Sequence, residues 1–244
     1  MRLFGLIGYP LSHSFSKKYF TEKFEKEGLM DCRYDLFPID SIEKFPEILK
    51  SHPNLYGLNV TIPYKQLVLP YLNSVENIPD ELKACNCIKI RNTKLTGYNT
   101  DCTGFEKSLT PLLKKHHQRA LVLGNGGATI AVIFVLKKLG IGFDIVSRTL
   151  HDGSTLTYEN VDEKVIKENP VIINTTPLGM YPKTGECPDI PYQFISNQHL
   201  FFDLVYNPEK TLFLQKGEER GAAIKNGHEM LVIQAEESWR IWNS

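Results

Sequence analysis

The sequence predicts an α/β fold in two domains whose sheets are mainly parallel. Short apolar runs alternate with amphipathic helical patterns along almost all of the 244 residues, which is typical of strand–helix–strand crossover units. A polar, glycine-containing turn then interrupts the series, and a fresh strand–glycine–helix unit begins at "RALVLGNGGAT". We therefore predict a domain boundary near residue 102.

The individual elements follow from this alternation in chain order. Each predicted strand is a short apolar or β-branched run bounded by turn residues, namely Leu3–Ile7, Tyr34–Phe37, Leu55–Val60, Ala120–Leu123, Phe143–Ser147, Val171–Asn174 and Leu200–Asp203. Each predicted helix has apolar residues at helical spacing, namely Ser16–Glu27, Ser41–Ser51, Thr103–Lys114, Ala128–Leu139, Thr211–Glu219 and Met230–Ile241. Periodicity alone does not assign the last helix to either domain.

Composition excludes several classes of function. Lys+Arg and Asp+Glu both number 28, and no long block of one sign is present, so a nucleic-acid partner is not expected. The N-terminus enters a strand-like "RLFGLIG" at once, which predicts no membrane or export segment. Five cysteines without disulfide spacing favour reduced thiols in the cytoplasm, and the one-residue gap of Cys85 and Cys87 predicts no metal site.

The glycine-rich turn after the fourth predicted strand indicates a nucleotide site. Glycines there let a pyrophosphate approach the backbone, and the first N–H groups of the following helix receive its charge. No lysine follows the glycines, so the phosphate-binding pattern of P-loop proteins is absent, and Thr129 replaces the third glycine of the dinucleotide fingerprint. A plain glycine turn is the alternative. The residues concerned are Gly124, Asn125, Gly126, Gly127 and Ala128.

The end of the next predicted strand favours NADP over NAD. NAD-binding units usually place a carboxylate there for the ribose hydroxyls, whereas this strand ends in Ser147, Arg148 and Thr149. Asp144 lies too early in the strand to reach the ribose. A guanidinium flanked by hydroxyls can bind the additional phosphate of NADP bidentately.

Three polar stretches of the first hundred residues lie where strands should end. They are "GYPLSHSFS", "NVTIPYK", and "ACNC" with "GYNTD". Ligands collect at the carboxyl ends of strands in open α/β sheets, so these loops can converge on one small, anionic, hydroxyl-rich molecule. Each also has a structural explanation, since Ser14 or Ser16 can cap a helix and Asn99 and Asp101 can form a turn. Lys65 can be a solvated lysine in the first turn of a helix, but a cation is unfavourable at the positive end of a helix and calls for an acidic partner, for which Asp101 is the candidate.

Together these stretches resemble the shikimate dehydrogenase family, which reduces 3-dehydroshikimate to shikimate with NADPH in the chorismate pathway to aromatic amino acids. The matching segments run in order along almost the whole chain: "GYPLSHSFS", "GLNVTIPYK", "ACNC", "GYNTDCTG", "GNGGAT", "SRT", "INTTPLGM", "DLVYNP" and "GHEMLVIQA". The resemblance implies an N-terminal substrate domain of residues 1–102 with 226–244, and a Rossmann-type, doubly wound NADP-binding domain of residues 103–225.

The resemblance also implies the roles of individual residues. Lys65 and Asp101 become the catalytic pair, with Lys65 as the acid in reduction and the base in reverse. The substrate carboxylate is assigned to Ser14, Ser16 and Tyr206, and the ring hydroxyls to Asn59, Thr61, Asn86, Asp101 and Gln234. NADP is assigned to the glycine loop and Ser147, Arg148 and Thr149, with Asn174, Leu204 and Gly227 also near the cofactor.

Some departures from the family pattern leave alternatives open. Lys17 stands where the family commonly has proline, Cys87 where threonine is usual, and the segment between Arg148 and Asn174 is short. A quinate/shikimate dehydrogenase that also accepts NAD is one alternative, and a noncatalytic sensor of a shikimate-like acid is another. His13 is expected to support the loop that carries Ser14 and Ser16 rather than to act in catalysis. The sequence does not distinguish a monomer from a homodimer.

Overall fold

The computed structural model describes residues 1–11, 14–76, 78, 81–150 and 153–244. His13 therefore lies outside the described residues. The chain divides into two compact units, one of Met1–Thr103 with Ile233–Ser244 and one of Gly104–Val232. The sequence-based boundaries were placed at 102/103 and 225/226. The assignment of the units to substrate and cofactor stays a prediction.

The first unit contains a six-stranded mixed sheet in the order β2-β1-β3-β5-β6-β4. Its strands are β1 (Arg2–Gly8), β2 (Cys32–Pro38), β3 (Leu55–Val60), β4 (Ser74–Val75), β5 (Cys87–Arg91) and β6 (Lys94–Tyr98). Strand β1 pairs in parallel with β2 and β3, which confirms the first three predicted strands. Strands β5 and β6 form an antiparallel hairpin whose turn residues, Asn92 and Thr93, have positive φ angles of 47° and 65°. We did not predict this hairpin or β4.

The helices of the first unit bury aromatic side chains against the sheet. They are α1 (Phe15–Lys26), α2 (Phe45–Ser51) and the start of α3 (Asp101–Leu109), joined by the end of α7 (His228–Asn243). Trp242 of α7 is fully buried, stacks on Phe4 at 5.0 Å between ring centroids, and donates from Nε1 to the Ile88 carbonyl at 3.0 Å. The indole is thus both packed and hydrogen-bonded, as a buried tryptophan requires.

The second unit contains a six-stranded, wholly parallel sheet in the order β12-β11-β10-β7-β8-β9. Its strands are β7 (Arg119–Leu123), β8 (Gly142–Ser147), β9 (Leu156–Thr157), β10 (Val171–Asn174), β11 (Leu200–Asp203) and β12 (Ala223–Lys225). Its helices include α4 (Gly127–Lys138), α5 (Glu163–Glu168) and α6 (Leu212–Glu218). The strand order reverses between β7 and β10, which is the switch point where doubly wound sheets bind ligands.

The four longer strands predicted for this unit are confirmed, whereas β9, β12 and α5 were missed because each is only two to six residues long. The predicted helix Thr103–Lys114 was too long: α3 ends at Leu109, and a single 3₁₀ turn with Pro111 follows. Proline cannot continue the helical hydrogen bonds, which explains the early end. No helix among the described residues is long and apolar enough to cross a membrane.

Candidate functional site

Lys65 and Asp101 form an ion pair in the first unit. The Lys65 Nζ donates to Asp101 Oδ2 at 2.6 Å, and the two side chains are 26% and 11% exposed. Lys65 lies in the turns that follow β3, and its carbonyl accepts from the Cys85 N–H at 2.7 Å. Asp101 is the first residue of α3, where the helix dipole stabilises a carboxylate. The predicted hydrogen bond is therefore present, and it leaves the ammonium partly accessible.

Two asparagines lie beside this pair at the end of the same sheet. Asn59 is in β3, and Asn86 immediately precedes β5. The Asn86 Oδ1 accepts from the Thr100 N–H at 2.6 Å, and Asn86 Nδ2 donates to Thr100 Oγ1 at 3.0 Å. Because Thr100 precedes Asp101, these bonds join "ACNC" to "GYNTD". The Lys65–Asp101 bond in turn joins "NVTIPYK" to "GYNTD", so two of the three predicted polar stretches meet.

The C-terminal end of β1, which precedes Ser14 in the chain, lies at the same edge because β1 pairs with β3. Thr61 directly follows β3, and its N–H donates to the Ile7 carbonyl of β1 at 3.0 Å. Ser14 caps α1, its Oγ accepting from the Lys17 N–H at 3.2 Å. The capping role considered from sequence is therefore present. The Ser14 hydroxyl hydrogen remains for a ligand, because capping uses only a lone pair.

The other residues assigned to the substrate are divided between the units. Ser16, Thr61 and Gln234 are partly buried in the first unit. Gln234 is on α7, one turn before Ser238, whose hydroxyl contacts Asn59. Tyr206 is partly buried in the second unit, beyond the end of β11, and burial raises its pKa.

In the second unit, the glycine turn joins β7 to α4 at the switch point. Gly124 has a φ of +109°, and a Cβ there would lie 2.7 Å from Thr175 Oγ1, so only glycine fits without strain. Gly126 and Gly127 have no atom within 4 Å of such a Cβ, so their backbone faces open space. Thr129 is fully buried, and its Oγ1 accepts from the Gly126 N–H at 3.1 Å and contacts Thr175 Oγ1 at 2.8 Å. Thr129 occupies the position of the third glycine of the dinucleotide fingerprint, and its hydroxyl holds the turn against Thr175 at the end of β10.

A cavity of about 440 Å³ opens in front of this turn. Six of the residues predicted to bind the cofactor line it: Gly124, Asn125, Gly126, Ser147, Arg148 and Thr149. Five further lining residues were not predicted: Tyr158, Thr175, Thr176, Pro177 and Leu178. Four of these, Thr175 to Leu178, directly follow β10 and its last residue Asn174, which was the only residue of "NTTPL" assigned to the cofactor. Its position beside the glycine turn depends on the pairing of β10 with β7.

The remaining residues assigned to the cofactor lie around the ends of β10 and β11. Asn174 is fully buried and donates from Nδ2 to Asp203 Oδ1 at 3.0 Å, so its amide binds the protein interior. The Leu204 N–H donates to the Asn174 carbonyl at 3.0 Å. A Cβ on Gly227 would lie 2.2 Å from the Leu204 carbonyl oxygen, so Gly227 and Leu204 are in direct backbone contact.

Gly127 and Ala128 are exposed at the start of α4.

Asp203 is the buried carboxylate that holds these loops in place. It is fully buried, and it accepts from Thr211 Oγ1 at 2.5 Å, from Asn174 Nδ2 and from the Val205 N–H, both at 3.0 Å. Burial raises the pKa of Asp203 from 3.8 to about 6, against the effect of these hydrogen bonds. The backbone that leads into Leu204 and Tyr206 is thereby fixed at its start.

The cavity of the second unit is lined by groups that suit the phosphates of a dinucleotide. The space in front of Gly126 and Gly127 is open, the N-terminus of the twelve-residue α4 faces it, and the exposed Arg148 lies between Ser147 and Thr149 at the cavity wall. Helix N–H groups and a guanidinium are the donors that phosphate oxygens prefer. Among the described residues, no group of three or more His, Cys, Asp or Glu side chains is arranged to hold a metal ion.

A doubly wound unit with this turn, in one chain with a unit that carries a Lys–Asp pair, defines the class of nucleotide-dependent α/β oxidoreductases. Comparison with known proteins agrees. The family model for the shikimate dehydrogenase substrate binding domain matches residues 6–88. The chain is 36% identical to the shikimate dehydrogenase (NADP(+)) of Methanococcus maripaludis, over 99% of this chain and 91% of the relative. The chain therefore belongs to the shikimate dehydrogenase family.

Solved structures give the same result. A chorismate mutase/shikimate 5-dehydrogenase fusion protein from Clostridium acetobutylicum is 35% identical, with a TM-score of 0.88 over 100% of this chain and 91% of that chain. The shikimate 5-dehydrogenase of Thermus thermophilus, solved with NADP(H) and shikimate, is 28% identical, with a TM-score of 0.86 over 99% of this chain and 93% of that chain. The predicted family and the predicted two-domain α/β class are confirmed.

Proposed function

We propose that this chain catalyses the reversible, NADPH-dependent reduction of 3-dehydroshikimate to shikimate. The observation that carries the proposal is the 2.6 Å ion pair of Lys65 and Asp101, set among the hydroxyl-binding asparagines of the first unit. Membership of the shikimate dehydrogenase family and the resemblance to the Thermus thermophilus enzyme support it. The reaction would serve the chorismate pathway, in the cytoplasm, where thiols stay reduced; the described residues contain no disulfide.

The substrate is held by side chains that match its chemistry. Ser14 and Ser16, with Tyr206, bind the carboxylate through hydroxyl donors. Asn59, Thr61, Asn86, Asp101 and Gln234 bind the ring hydroxyls. Amides and hydroxyls supply directional donors and acceptors without a competing charge, which suits a polyhydroxylated ring.

Lys65 exchanges a proton with the oxygen of the reacting carbon. The bound nicotinamide supplies or accepts the hydride at that carbon. As negative charge develops on the oxygen during reduction, the Lys65 ammonium stabilises it and delivers a proton from Nζ. In the opposite direction, neutral Lys65 removes the proton of the hydroxyl. Asp101 holds the Lys65 Nζ through its hydrogen bond and contacts the reacting hydroxyl.

The cofactor is bound by the second unit. The backbone of Gly124 to Gly127 and the N-terminus of α4 bind the pyrophosphate, and Ser147, Arg148 and Thr149 bind the phosphate that distinguishes NADP from NAD. Leu204 and Gly227, which are in backbone contact, lie near the nicotinamide. Asn174 acts indirectly, by fixing Asp203 and the Leu204 backbone.

The decisive experiment measures the absorbance of reduced nicotinamide in four reactions, shikimate or quinate with NADP or NAD. We expect turnover with shikimate and NADP to exceed each of the other three by at least tenfold. Comparable turnover with quinate or with NAD would favour the quinate/shikimate alternative. Turnover with none of the four pairs would favour a noncatalytic sensor, for which the Lys65–Asp101 pair would have no purpose.

A further inference from the structure

The Asn59 side chain is enclosed in hydrogen bonds to three groups of the first unit. The Tyr34 Oη donates to Asn59 Oδ1 at 2.9 Å. The Asn59 Nδ2 donates to Ser238 Oγ at 2.9 Å and to the Asn86 carbonyl at 3.3 Å. Tyr34 is 2% exposed and Ser238 is fully buried, whereas Asn59 itself is partly exposed. Two interior hydroxyls therefore hold an amide that faces outward.

The orientation of this amide is forced by its partners. A backbone carbonyl can only accept, so the Asn59 atom that faces the Asn86 carbonyl must be the nitrogen. Burial raises the pKa of Tyr34 well above its ordinary value, against a smaller lowering by the Ser16 hydroxyl, so the phenol stays protonated and donates. Both N–H groups of Asn59 and one lone pair of its Oδ1 are then used within the described part of the chain. What Asn59 can offer a ligand is the second lone pair of Oδ1.

Asn86 has the opposite polarity. Its Oδ1 must be the atom that faces the Thr100 N–H at 2.6 Å, because that group can only donate. One N–H of Asn86 Nδ2 donates to Thr100 Oγ1 at 3.0 Å. The group that Asn86 can offer a ligand is the second N–H of Nδ2. Neighbouring asparagines of identical chemistry are thus set as one acceptor and one donor.

We propose that Tyr34 and Ser238 are positioning residues for substrate recognition, which lock Asn59 as a hydrogen-bond acceptor. The proposal rests on the proposed function, in which Asn59 contacts a ring hydroxyl. The ring carbon that faces Asn59 must then carry a group that donates, because a carbonyl oxygen there would face the Oδ1 lone pair. The enclosed amide selects a hydroxyl at that position by polarity as well as by shape.

The test compares Tyr34→Phe and Ser238→Ala with matched variants that lose an equally buried hydroxyl elsewhere. Tyr64→Phe removes a hydroxyl that donates to the Ile39 carbonyl at 2.6 Å, and Ser108→Ala removes one that donates to the Phe105 carbonyl at 3.1 Å. Binding of shikimate is measured by isothermal titration calorimetry, with KM and kcat from initial rates. We expect Tyr34→Phe and Ser238→Ala to raise both Kd and KM about tenfold, which corresponds to about 1.4 kcal/mol. We expect kcat to change less than threefold, and both controls to bind shikimate within twofold of the parent.

A second measurement separates recognition from a general loosening of the fold. Shikimate analogues that each lack one ring hydroxyl are titrated into the parent chain and Ser238→Ala, because the Tyr34 hydroxyl also bonds to Ser16, which is assigned to the substrate carboxylate. For the analogue that lacks the hydroxyl facing Asn59, the two proteins should bind equally. For the other analogues, the tenfold difference should persist.

Several outcomes would overturn the inference. They are a Tyr34→Phe variant that binds shikimate like Tyr64→Phe, or a loss of equal size with every analogue. If Tyr34→Phe does not fold, Ser238→Ala alone carries the first measurement, because it removes the other partner of the same amide. If the parent chain turns over shikimate and the variants bind it equally well, the inference is refuted and the proposed function stands. A parent chain that neither binds nor turns over shikimate refutes the proposed function as well.

Discussion

Replacement of Lys65 by alanine should abolish most of the turnover while leaving the substrate KM within about threefold. Lys65 Nζ and Asp101 Oδ2 are 2.6 Å apart, and removal of a positioned acid typically costs 10²- to 10⁴-fold in rate. We therefore expect kcat to fall by that factor, which is about 3–5 kcal/mol of transition-state stabilisation. Substrate binding is shared by many other contacts, so KM should change little.

The same change should affect stability less than catalysis. At an effective dielectric constant of about 20, charges 2.6 Å apart attract by about 6 kcal/mol before desolvation is subtracted. Lys65 is 26% exposed, and the N-terminus of α3 still stabilises the Asp101 carboxylate. We therefore expect a loss of about 1–3 kcal/mol in the free energy of unfolding, measured with urea.

The control is Lys18→Ala, which removes an 80% exposed lysine of α1 and should leave kcat unchanged. The assay follows NADPH absorbance at saturating shikimate and NADP, and single-turnover measurements confirm that chemistry limits the rate. Near-normal kcat in Lys65→Ala would refute the assignment of Lys65 as the acid. A large rise in KM with an unchanged kcat would make Lys65 a binding residue only.

Three further changes test the second unit. Arg148→Ala should raise the KM for NADP about 10- to 100-fold and leave the KM for NAD within threefold, because the guanidinium is assigned to the phosphate that only NADP carries. The control Arg220→Ala, at the surface, should alter neither KM, and equal losses for both cofactors would contradict the assignment. Gly126→Ala should leave the urea midpoint unchanged, because no atom lies within 4 Å of the added Cβ, but it should weaken NADPH binding measured by fluorescence. Gly124→Ala should lower the free energy of unfolding by about 1–3 kcal/mol, and the reverse pattern would refute the placement of the pyrophosphate. Because the folded-state pKa of Asp203 is raised to about 6 from 3.8, its ionisation opposes folding. Between pH 4 and 7 the parent should therefore lose about 2 kcal/mol of stability relative to Asp203→Asn, and parallel pH profiles would contradict this.

The long elements were predictable because their patterns are local. The runs of β3, β10 and β11 were predicted to the residue. Strands β10 and β11 are buried along their whole length, and a parallel strand that is buried on both faces gives a continuous apolar run. The short elements were not, because strands such as β9 and β12 exist only through pairing with β8 and β11. The hairpin of β5 and β6 was missed although "RNTK" contains Asn92, a residue type that tolerates positive φ.

The sequence by itself determined the fold class and the family, because those depend on residue types at fixed spacing along the chain. Through the family resemblance it also led to the proposed catalytic and binding residues. The Lys65–Asp101 hydrogen bond was expected because a cation at the positive end of a helix calls for an acidic partner. Only the tertiary structure decided which groups are already occupied by hydrogen bonds. Tyr34 and Ser238 are 204 residues apart and meet at Asn59 only because α7 packs on the first sheet. Hydrogen-bond polarity is a property of such long-range contacts, and no local pattern encodes it.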